Sequence, residues 1–277
     1  MSTIQVFQAR PASDGAGVKI NRVSHMGRPE IMDPFLMLDE IYSDNPDEYI
    51  AGFPPHPHRG FETVTVMLQG QMRHEDHLGN NGLVSSGGGQ WMTTGRGVIH
   101  SEIPEQEEGL LHGFQLWLNL AAEDKMQPAS YQDLQSEQWV EQSMNGLTVR
   151  GIGGQLEVND TLITAPVDSG KTRASVFTVT SDQQTSMTVS HPENTKFMVY
   201  VYQGEVNYQS AFYGRGSLLV LNDINEIEMK VGEDSGLLVL SGKPLSEPVA
   251  QYGPFVMNTM EQVEQAIQDY RNERLVG

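Results

Sequence analysis

Apolar and polar residues alternate with a period of two along much of the chain, which predicts a protein built mainly from β-strands. The segments that show this alternation, or that form short apolar runs between turn residues, are 61–68, 90–93, 98–100, 110–120, 174–180, 186–190, 196–202, 217–221 and 236–240. Residues 78–82, Leu-Gly-Asn-Asn-Gly, are typical of a tight hairpin turn. The pattern therefore predicts an all-β fold with short connections.

One amphipathic helix is predicted near the end of the chain. An apolar stripe with helical spacing is formed by Met260, Val263, Ala266, Ile267 and Tyr270. Asn258 or Thr259 can cap the first turn, and Glu261 or Gln262 can complete a capping box. We expect the stripe to pack against a barrel.

Two pairs of metal-ligand residues stand about forty positions apart. His56 and His58 form the first pair, and His100 and Glu102 form the second. In an extended strand, residues two apart share a face, so two adjacent strands can direct three imidazoles and one carboxylate to a single point. This set suits a transition metal such as iron better than magnesium or calcium, which prefer oxygen. Four protein ligands on an octahedral ion leave two open positions.

Two strand-rich blocks flank a polar connector at about 121–141, for which at most a short helical turn is predicted. Residues 197–204 echo 63–70, since both strands end in Gln-Gly. Aligning the two glycines places Ser190, Pro192 and Lys196 at the positions of His56, His58 and Glu62 in the first block. We therefore expect an N-terminal domain, 1–140, that carries the metal site. A C-terminal domain, 141–277, would lack metal ligands and end in the helix.

Charge and composition narrow the classes of partner. The formal net charge is −19 with only 17 Lys and Arg, which disfavours direct binding to nucleic acid, because that affinity depends on clustered basic residues. No apolar run approaches the roughly 18–20 residues that cross a bilayer, so we expect no membrane span. Cysteine is absent, and the opening residues show no signal-peptide pattern. A cytoplasmic protein is the simplest expectation.

The spacing around the ligand pairs resembles the cupin superfamily, whose small double-stranded β-barrels hold a metal. The first cupin motif corresponds to His56, His58, Glu62 and Gly70. The second corresponds to Gly89, the turn 95–97 and His100, with Gly95 in place of the usual proline.

Four segments, 33–40, 56–64, 90–102 and 253–259, are similar to the pirin family, and the resemblance spans nearly the whole chain. It implies a bicupin, two double-stranded β-helix barrels in tandem, with a C-terminal helix. It also implies Fe²⁺, or another divalent ion such as Mn, Co, Ni, Cu or Zn, held by His56, His58, His100 and Glu102. Glu62 is generally not a ligand in that family. It could orient a ligand histidine or line the pocket, or it could be a solvated carboxylate.

Some pirins resemble quercetinases, so one implied function is a dioxygenase of the quercetin 2,3-dioxygenase type, an oxidoreductase that acts on a flavonol or a similar enolisable aromatic with O₂. Glu102 would accept the proton of the substrate hydroxyl, with Glu62 as the reserve candidate. The alternative is an iron- and redox-dependent regulator that binds a transcription factor or a metabolic enzyme without turnover.

Other chemically capable residues have simpler interpretations. The run His74-Glu75-Asp76-His77 could be a rival metal site, but its place beside the predicted turn favours an exposed hairpin end. His112 is expected to be a core histidine with a hydrogen-bond partner. Trp91 and Phe114 could line a pocket, although aromatic residues on barrel strands usually belong to the core.

Overall fold

The computed structural model describes residues 4–24, 27–191, 193 and 196–276, so Pro192 of the aligned segment lies outside the described residues. The strands, numbered in chain order, are β1 (Ile4–Gln8), β2 (Arg10–Asp14), β3 (Val18–Ser24), β4 (Phe35–Ser43), β5 (Phe53–His58), β6 (Phe61–Gln69), β7 (Gln71–Asp76), β8 (Asn81–Ser85), β9 (Gly89–Thr93), β10 (Val98–Pro104), β11 (Leu111–Asn119), β12 (Ser130–Leu134), β13 (Val140–Met144), β14 (Leu147–Gly153), β15 (Gln155–Val158), β16 (Thr161–Thr164), β17 (Ser175–Ser181), β18 (Thr185–Ser190), β19 (Lys196–Gln203), β20 (Glu205–Tyr208), β21 (Ala211–Gly214), β22 (Ser217–Leu221), β23 (Glu226–Val231), β24 (Gly236–Gly242), β25 (Ala250–Tyr252) and β26 (Phe255–Met257). The helix α1 spans Met260–Arg271, and short 3₁₀ turns occupy Pro29–Ile31, Pro46–Glu48, Ala122–Asp124, Ser136–Gln138 and Gly170–Thr172.

The chain divides into two compact units. The larger unit comprises Arg10–Glu137 and Leu245–Gly277, and the smaller unit comprises Met1–Ala9 and Gln138–Pro244. These units differ from a sequential division at 140/141, because the first residues of the chain belong to the smaller unit and the last residues belong to the larger unit. β1 pairs with β22, so the N-terminal strand completes a sheet of the smaller unit. The helix shares an apolar cluster with Ile99 of β10 and therefore belongs to the larger unit.

The larger unit contains two main sheets. Their strand orders are β12-β9-β6-β11-β4-β3-β2 and β5-β10-β7-β8, and β25-β26 form a separate pair. Apolar side chains from both main sheets meet in one cluster, which includes Ile20 and Met67 from the first sheet and Met72 and Val84 from the second. This core lies between the two sheets, as expected for a small barrel whose strands have one buried face.

The smaller unit repeats the two-sheet plan with strand orders β1-β22-β19-β24-β17-β14-β13 and β16-β15-β18-β23-β20-β21. Its core also draws on both sheets, for example Val199 and Val239 from the first and Val189 and Val206 from the second. Every strand predicted from sequence is present in one of the two units. The predicted class, an all-β protein with two barrels and a C-terminal helix, is confirmed.

The connector prediction was incomplete. β12 lies within it and pairs with β9 along five positions, from Ser130 opposite Thr93 to Leu134 opposite Gly89. The segment Ser-Tyr-Gln-Asp-Leu has little apolar character of its own, so its strand conformation depends on the ladder with β9. Composition could not reveal that pairing.

The predicted helix is confirmed at residue level. Thr259 is the N-cap, its side chain accepts a hydrogen bond from the backbone N–H of Gln262, and the Gln262 side chain completes the capping box. Val263 and Ala266 are buried, whereas the two outer members of the predicted stripe, Met260 and Tyr270, are exposed. Among the described residues, no helix has the length and apolar character needed to cross a membrane.

Candidate metal centre

Adjacent strands bring three of the four predicted ligands, His56, His58 and His100, into one group, whereas Glu102 is grouped with His100 and His74 instead. β10 runs antiparallel to β5, with His100 directly opposite His56 and Val98 opposite His58. The register shifts between His100 and Glu102, which marks a bulge beside the ligand pair. Directly opposed positions in such a ladder place their Cβ atoms only about 4.5–5.5 Å apart. The ladder therefore explains why residues forty positions apart in sequence meet at one point.

The three imidazoles converge closely. One ring nitrogen from each of His56, His58 and His100 lies within 4.8 Å of the other two. The Nε2 atoms of His56 and His58 are 2.9 Å apart. His58 and His100 are buried, and His56 is half-buried.

Hydrogen bonds on the far side of two rings fix which nitrogen carries the proton. His56 Nδ1 lies 2.9 Å from the carbonyl oxygen of Pro54, and His58 Nδ1 lies 3.3 Å from that of Pro254. A carbonyl only accepts, so each Nδ1 must donate, and each neutral ring then carries its lone pair on Nε2. Two lone pairs facing each other at 2.9 Å repel unless a cation lies between or beside them. Ligand histidines in metal sites commonly donate their second N–H to a backbone carbonyl in this way.

The third imidazole provides a direct test of fit. His100 Nε2 is buried and has no hydrogen-bond partner among the described residues. Buried polar atoms are rarely left without a partner, so this nitrogen suits a ligand that the polypeptide does not supply.

Burial keeps all three rings neutral. Desolvation lowers the pKa of His56, and it lowers the pKa of His58 and His100 well below the ordinary value, with the neighbouring imidazoles adding to the effect. Metal binding requires the unprotonated form, so these environments leave the lone pairs available at neutral pH.

Glu102 lies against a row of polar side chains from the opposite sheet. Thr65 of β6 donates to its Oε1 at 3.2 Å, Gln115 of β11 donates to Oε2 at 3.3 Å, and the Gln90 amide of β9 also donates to Oε1. The carboxyl group is buried, and desolvation raises its pKa to about 7 against the opposing effect of these donors. A carboxyl group with such a pKa can exchange a proton near neutral pH.

A cavity of about 580 Å³ opens beside the imidazoles. His56, His58 and Glu102 contribute to its wall together with the apolar side chains of Met37 and Trp117. Its volume falls within the range of about 300–1,000 Å³ that is usual for small-molecule sites. The cavity is therefore large enough to hold a small aromatic molecule beside His56 and His58.

The structure overturns the expectation of an exposed hairpin end at His74–His77. The His74 side chain is 0% exposed and that of Asp76 is 1% exposed, although His77 does lie at the surface. In the β7–β10 ladder, His74 lies opposite Glu102 and Asp76 lies opposite His100. His74, His100 and Glu102 also form a second group with ligand atoms within 4.8 Å of one another. The parity of residues 74 and 76, the same as in the two ligand pairs, was the available signal.

Glu62 is not a solvated carboxylate. Its residue is 7% exposed, and Thr93 Oγ1 donates to its Oε1 at 2.6 Å. Burial raises its pKa to about 7, while hydrogen bonds from Thr93 and Trp91 act in the opposite direction. Within the described part of the chain, Glu62 belongs to neither ligand group.

The predictions for the remaining candidates are confirmed. His112 is buried, with its Nε2 3.0 Å from Glu40 Oε1. Trp91 and Phe114 are core residues. The aromatic side chains of Phe53 and Trp117 line the cavity instead, and Trp117 lies edge-on to His58 with ring centroids 5.3 Å apart.

Comparison with known families covers both halves of the chain. The Pirin family model matches residues 17–118, and the model of the Pirin C-terminal cupin domain matches residues 176–276. The first match contains all four predicted ligands.

Relatives of similar length support the same assignment. A Vibrio cholerae protein, provisionally named as a quercetin 2,3-dioxygenase, is 46% identical over 96% of this chain and 94% of its own length. Human pirin is 37% identical over 96% of this chain and 91% of its own length. A solved structure named quercetin 2,3-dioxygenase, from Acinetobacter baumannii, has a TM-score of 0.89 at 30% identity and covers 99% of this chain and 98% of that one. The chain belongs to the pirin family of two-barrel cupin proteins.

Proposed function

We propose that this protein is an iron(II)-dependent dioxygenase that opens the ring of a flavonol or a similar enolisable aromatic with O₂. The observation that carries the proposal is the convergence of three neutral imidazoles beside a cavity of about 580 Å³. His56 and His58 line that cavity, and the third imidazole, His100, has a buried nitrogen without a partner among the described residues. Several relatives bear names of the quercetin 2,3-dioxygenase type, which is consistent with this chemistry.

His56, His58, His100 and Glu102 would hold the metal. Nitrogen-rich sets that include one carboxylate suit iron and its divalent neighbours, so manganese, cobalt, nickel, copper and zinc are the alternatives to test. A bound metal of this kind supplies Lewis acidity and an open position for a deprotonated substrate oxygen.

The side chains around the cavity would divide the remaining work. Glu102, with its pKa near 7, would accept the proton released from the substrate hydroxyl. Glu62, whose pKa is also raised to about 7, is the reserve candidate for that role, although it does not line the cavity. Trp117 and Met37 would contact the aromatic ring system and exclude water from the reacting face.

Turnover tests the proposal directly. Protein loaded anaerobically with iron(II) is mixed with a flavonol and then exposed to air, while the flavonol absorbance and the released carbon monoxide are followed. We expect loss of the flavonol together with release of carbon monoxide in a fixed ratio. His56→Ala, loaded in the same way, should retain no stoichiometric iron and show no turnover.

His77→Ala is the matched control, because His77 lies at the surface in the turn between β7 and β8. It should bind iron and turn over as the unmodified chain does. Stoichiometric iron in His56→Ala would refute the ligand assignment. Full iron loading without turnover of any flavonol would refute the dioxygenase and favour a redox-dependent regulator.

A further inference from the structure

A chain of hydrogen bonds continues outward from His100 to a carboxylate that the proposed function does not use. His100 Nδ1 lies 3.5 Å from His74 Nδ1, and His74 Nε2 lies 3.3 Å from Asp76 Oδ2. His74 and Asp76 are almost completely buried. Their positions follow from the β7–β10 ladder, in which Asp76 lies opposite His100.

The direction of each proton follows from the carboxylate at the end of the chain. Asp76 accepts only, so His74 Nε2 must donate to it. A neutral His74 then has its lone pair on Nδ1, where it can accept from His100 Nδ1–H. His100 is thereby left with its lone pair on Nε2, the buried atom that has no partner in the described chain. One carboxylate thus specifies the tautomers of two successive imidazoles.

Packing around His74 restricts its ring to this orientation. The ring of Tyr131 from β12 stacks on it, with centroids 4.3 Å apart and planes 16° from parallel. Gly82 of β8 lies opposite His74 in the next ladder, and a Cβ at that position would collide with the Tyr131 hydroxyl. Asp76 is held in turn by the backbone N–H groups of Leu78 and Asn80.

We infer that His74, oriented by Asp76 and Tyr131, is a positioning residue that fixes the Nε2 lone pair of His100 and strengthens it as a metal ligand. The inference rests on the metal site of the proposed function and adds to it a specific polar support. It also accounts for the close approach of His74 to His100 within the second group without a second ion. Loss of such supports typically weakens metal affinity by about 10–100-fold.

Two substitutions separate hydrogen bonding from packing. His74→Phe keeps an aromatic ring against Tyr131 but removes the acceptor for His100. His74→Asn loses the stacked ring but retains an acceptor near the place of Nδ1. We expect the dissociation constant for cobalt(II), measured by chelator competition, to rise about 10–100-fold in His74→Phe and to be largely restored in His74→Asn. The visible absorption bands of bound cobalt(II) should change in His74→Phe and return towards those of the unmodified protein in His74→Asn. His77→Phe, the same substitution three residues further on, should leave both readouts unchanged.

The reverse order, with His74→Phe binding normally and His74→Asn weakly, would assign His74 a packing role and overturn the inference. So would two bound metal ions per chain, one of which is lost in His74→Phe. If the unmodified chain binds no cobalt(II) or iron(II), the proposed metal site itself fails, and the inference fails with it.

A measurement on the unmodified protein does not depend on the variants folding. Long-range ¹H–¹⁵N correlation spectra of the metal-free or zinc-loaded protein report which nitrogen of each of the eight histidines carries a proton. We expect His74 to be protonated at Nε2 and His100 at Nδ1. The opposite tautomer at either residue would overturn the inference.

Discussion

The three imidazoles of the candidate centre differ in the group that accepts a hydrogen bond from their Nδ1 atoms. His56 and His58 donate to the backbone carbonyls of Pro54 and Pro254, whereas His100 faces another imidazole. A backbone carbonyl is a neutral acceptor. A histidine that is hydrogen-bonded to a carboxylate can instead pass part of the carboxylate's negative charge to the ring that donates to it. The three nitrogens are therefore expected to be unequal donors, with His100 the strongest.

Replacement of Glu102 tests the proposed base. Glu102→Gln should keep much of the metal, since three imidazoles remain, but it should lose flavonol turnover because the amide cannot accept the hydroxyl proton. Iron content and the rate of carbon monoxide release measure the two effects separately. Glu62→Gln is the comparison variant. Loss of turnover in Glu62→Gln alone would exchange the roles of the two carboxylates.

Glu62 should also make stability depend on pH. Burial raises its folded-state pKa to about 7 from an unfolded value near 4.5, so the folded chain holds the proton more tightly. Its contribution to stability is fully present below pH 4.5 and is lost as the pH rises through 7. We expect the free energy of unfolding of metal-free Glu62→Gln to exceed that of the unmodified protein increasingly over this window, by up to about 3 kcal/mol. Urea denaturation at pH 5 and pH 8 measures the difference. A constant difference at both values would contradict it.

At the scale of elements, the C-terminal segment supports the strand that carries His56 and His58. Pro254 accepts from His58, and Lys125 donates to the carbonyls of Gly60 and Val256 at 2.7 and 3.1 Å. A Cβ at Gly60 would collide with the Val256 carbonyl, so the close approach of these two segments requires glycine there. Residues nearly two hundred positions apart thus shape one side of the site.

An ion pair joins α1 to the same strand end, and its removal should destabilise the larger unit. Arg59 Nη1 donates to Asp269 Oδ2 at 2.8 Å, with the Arg59 side chain only 6% exposed. Asp269→Asn should lower the free energy of unfolding at pH 7 by about 1.5–3 kcal/mol, the range for hydrogen bonds to charged groups. Glu264→Gln, on the exposed face of the same helix, should have little effect.

The pH dependence of this pair has the opposite sign to that of Glu62. Arg59 lowers the pKa of Asp269, so the stabilisation is present above the ordinary aspartate pKa and is lost as the pH falls through the lowered value. The difference between Asp269→Asn and the unmodified protein should therefore shrink in acid. Denaturation at pH 7 and pH 3 checks this, and an equal difference at both would show that the charge contributes nothing.

Element by element, the sequence was informative where a strand carries its own pattern. β19 was predicted as 196–202 and spans Lys196–Gln203, because apolar residues fill it almost continuously. β12 was missed, since its order comes from pairing with β9. The pairing of β1 with β22 was also missed, because nothing local encodes a partner about two hundred residues away. His74 was assigned to the surface for a related reason: the turn beside it was visible in the sequence, but the neighbouring strand that buries it was not.

At the scale of the molecule, two units with the same two-sheet plan differ in chemistry. Both groups of potential metal ligands found in the described residues lie in the larger unit. In the smaller unit, the position aligned with Glu62 holds Lys196, whose positive charge would repel a cation. The net charge of −19 adds a general attraction for cations but no geometry. We therefore expect one tightly bound metal ion per chain.

That expectation predicts where a metal should change protection from hydrogen exchange. A metal at 100 times its dissociation constant stabilises the state that binds it by about 2.7 kcal/mol. Amides of the larger unit that exchange only through its unfolding, such as those of β6 and β11, should therefore slow by about 100-fold, whereas amides of β17 and β19 should keep their rates. Mass spectrometry of peptides from each unit, with and without zinc, measures the contrast. His56→Ala should show no metal-dependent slowing in either unit. Equal slowing of both units in the unmodified protein would mean that the metal stabilises the chain as a single cooperative body, and slowing confined to the smaller unit would place the metal elsewhere.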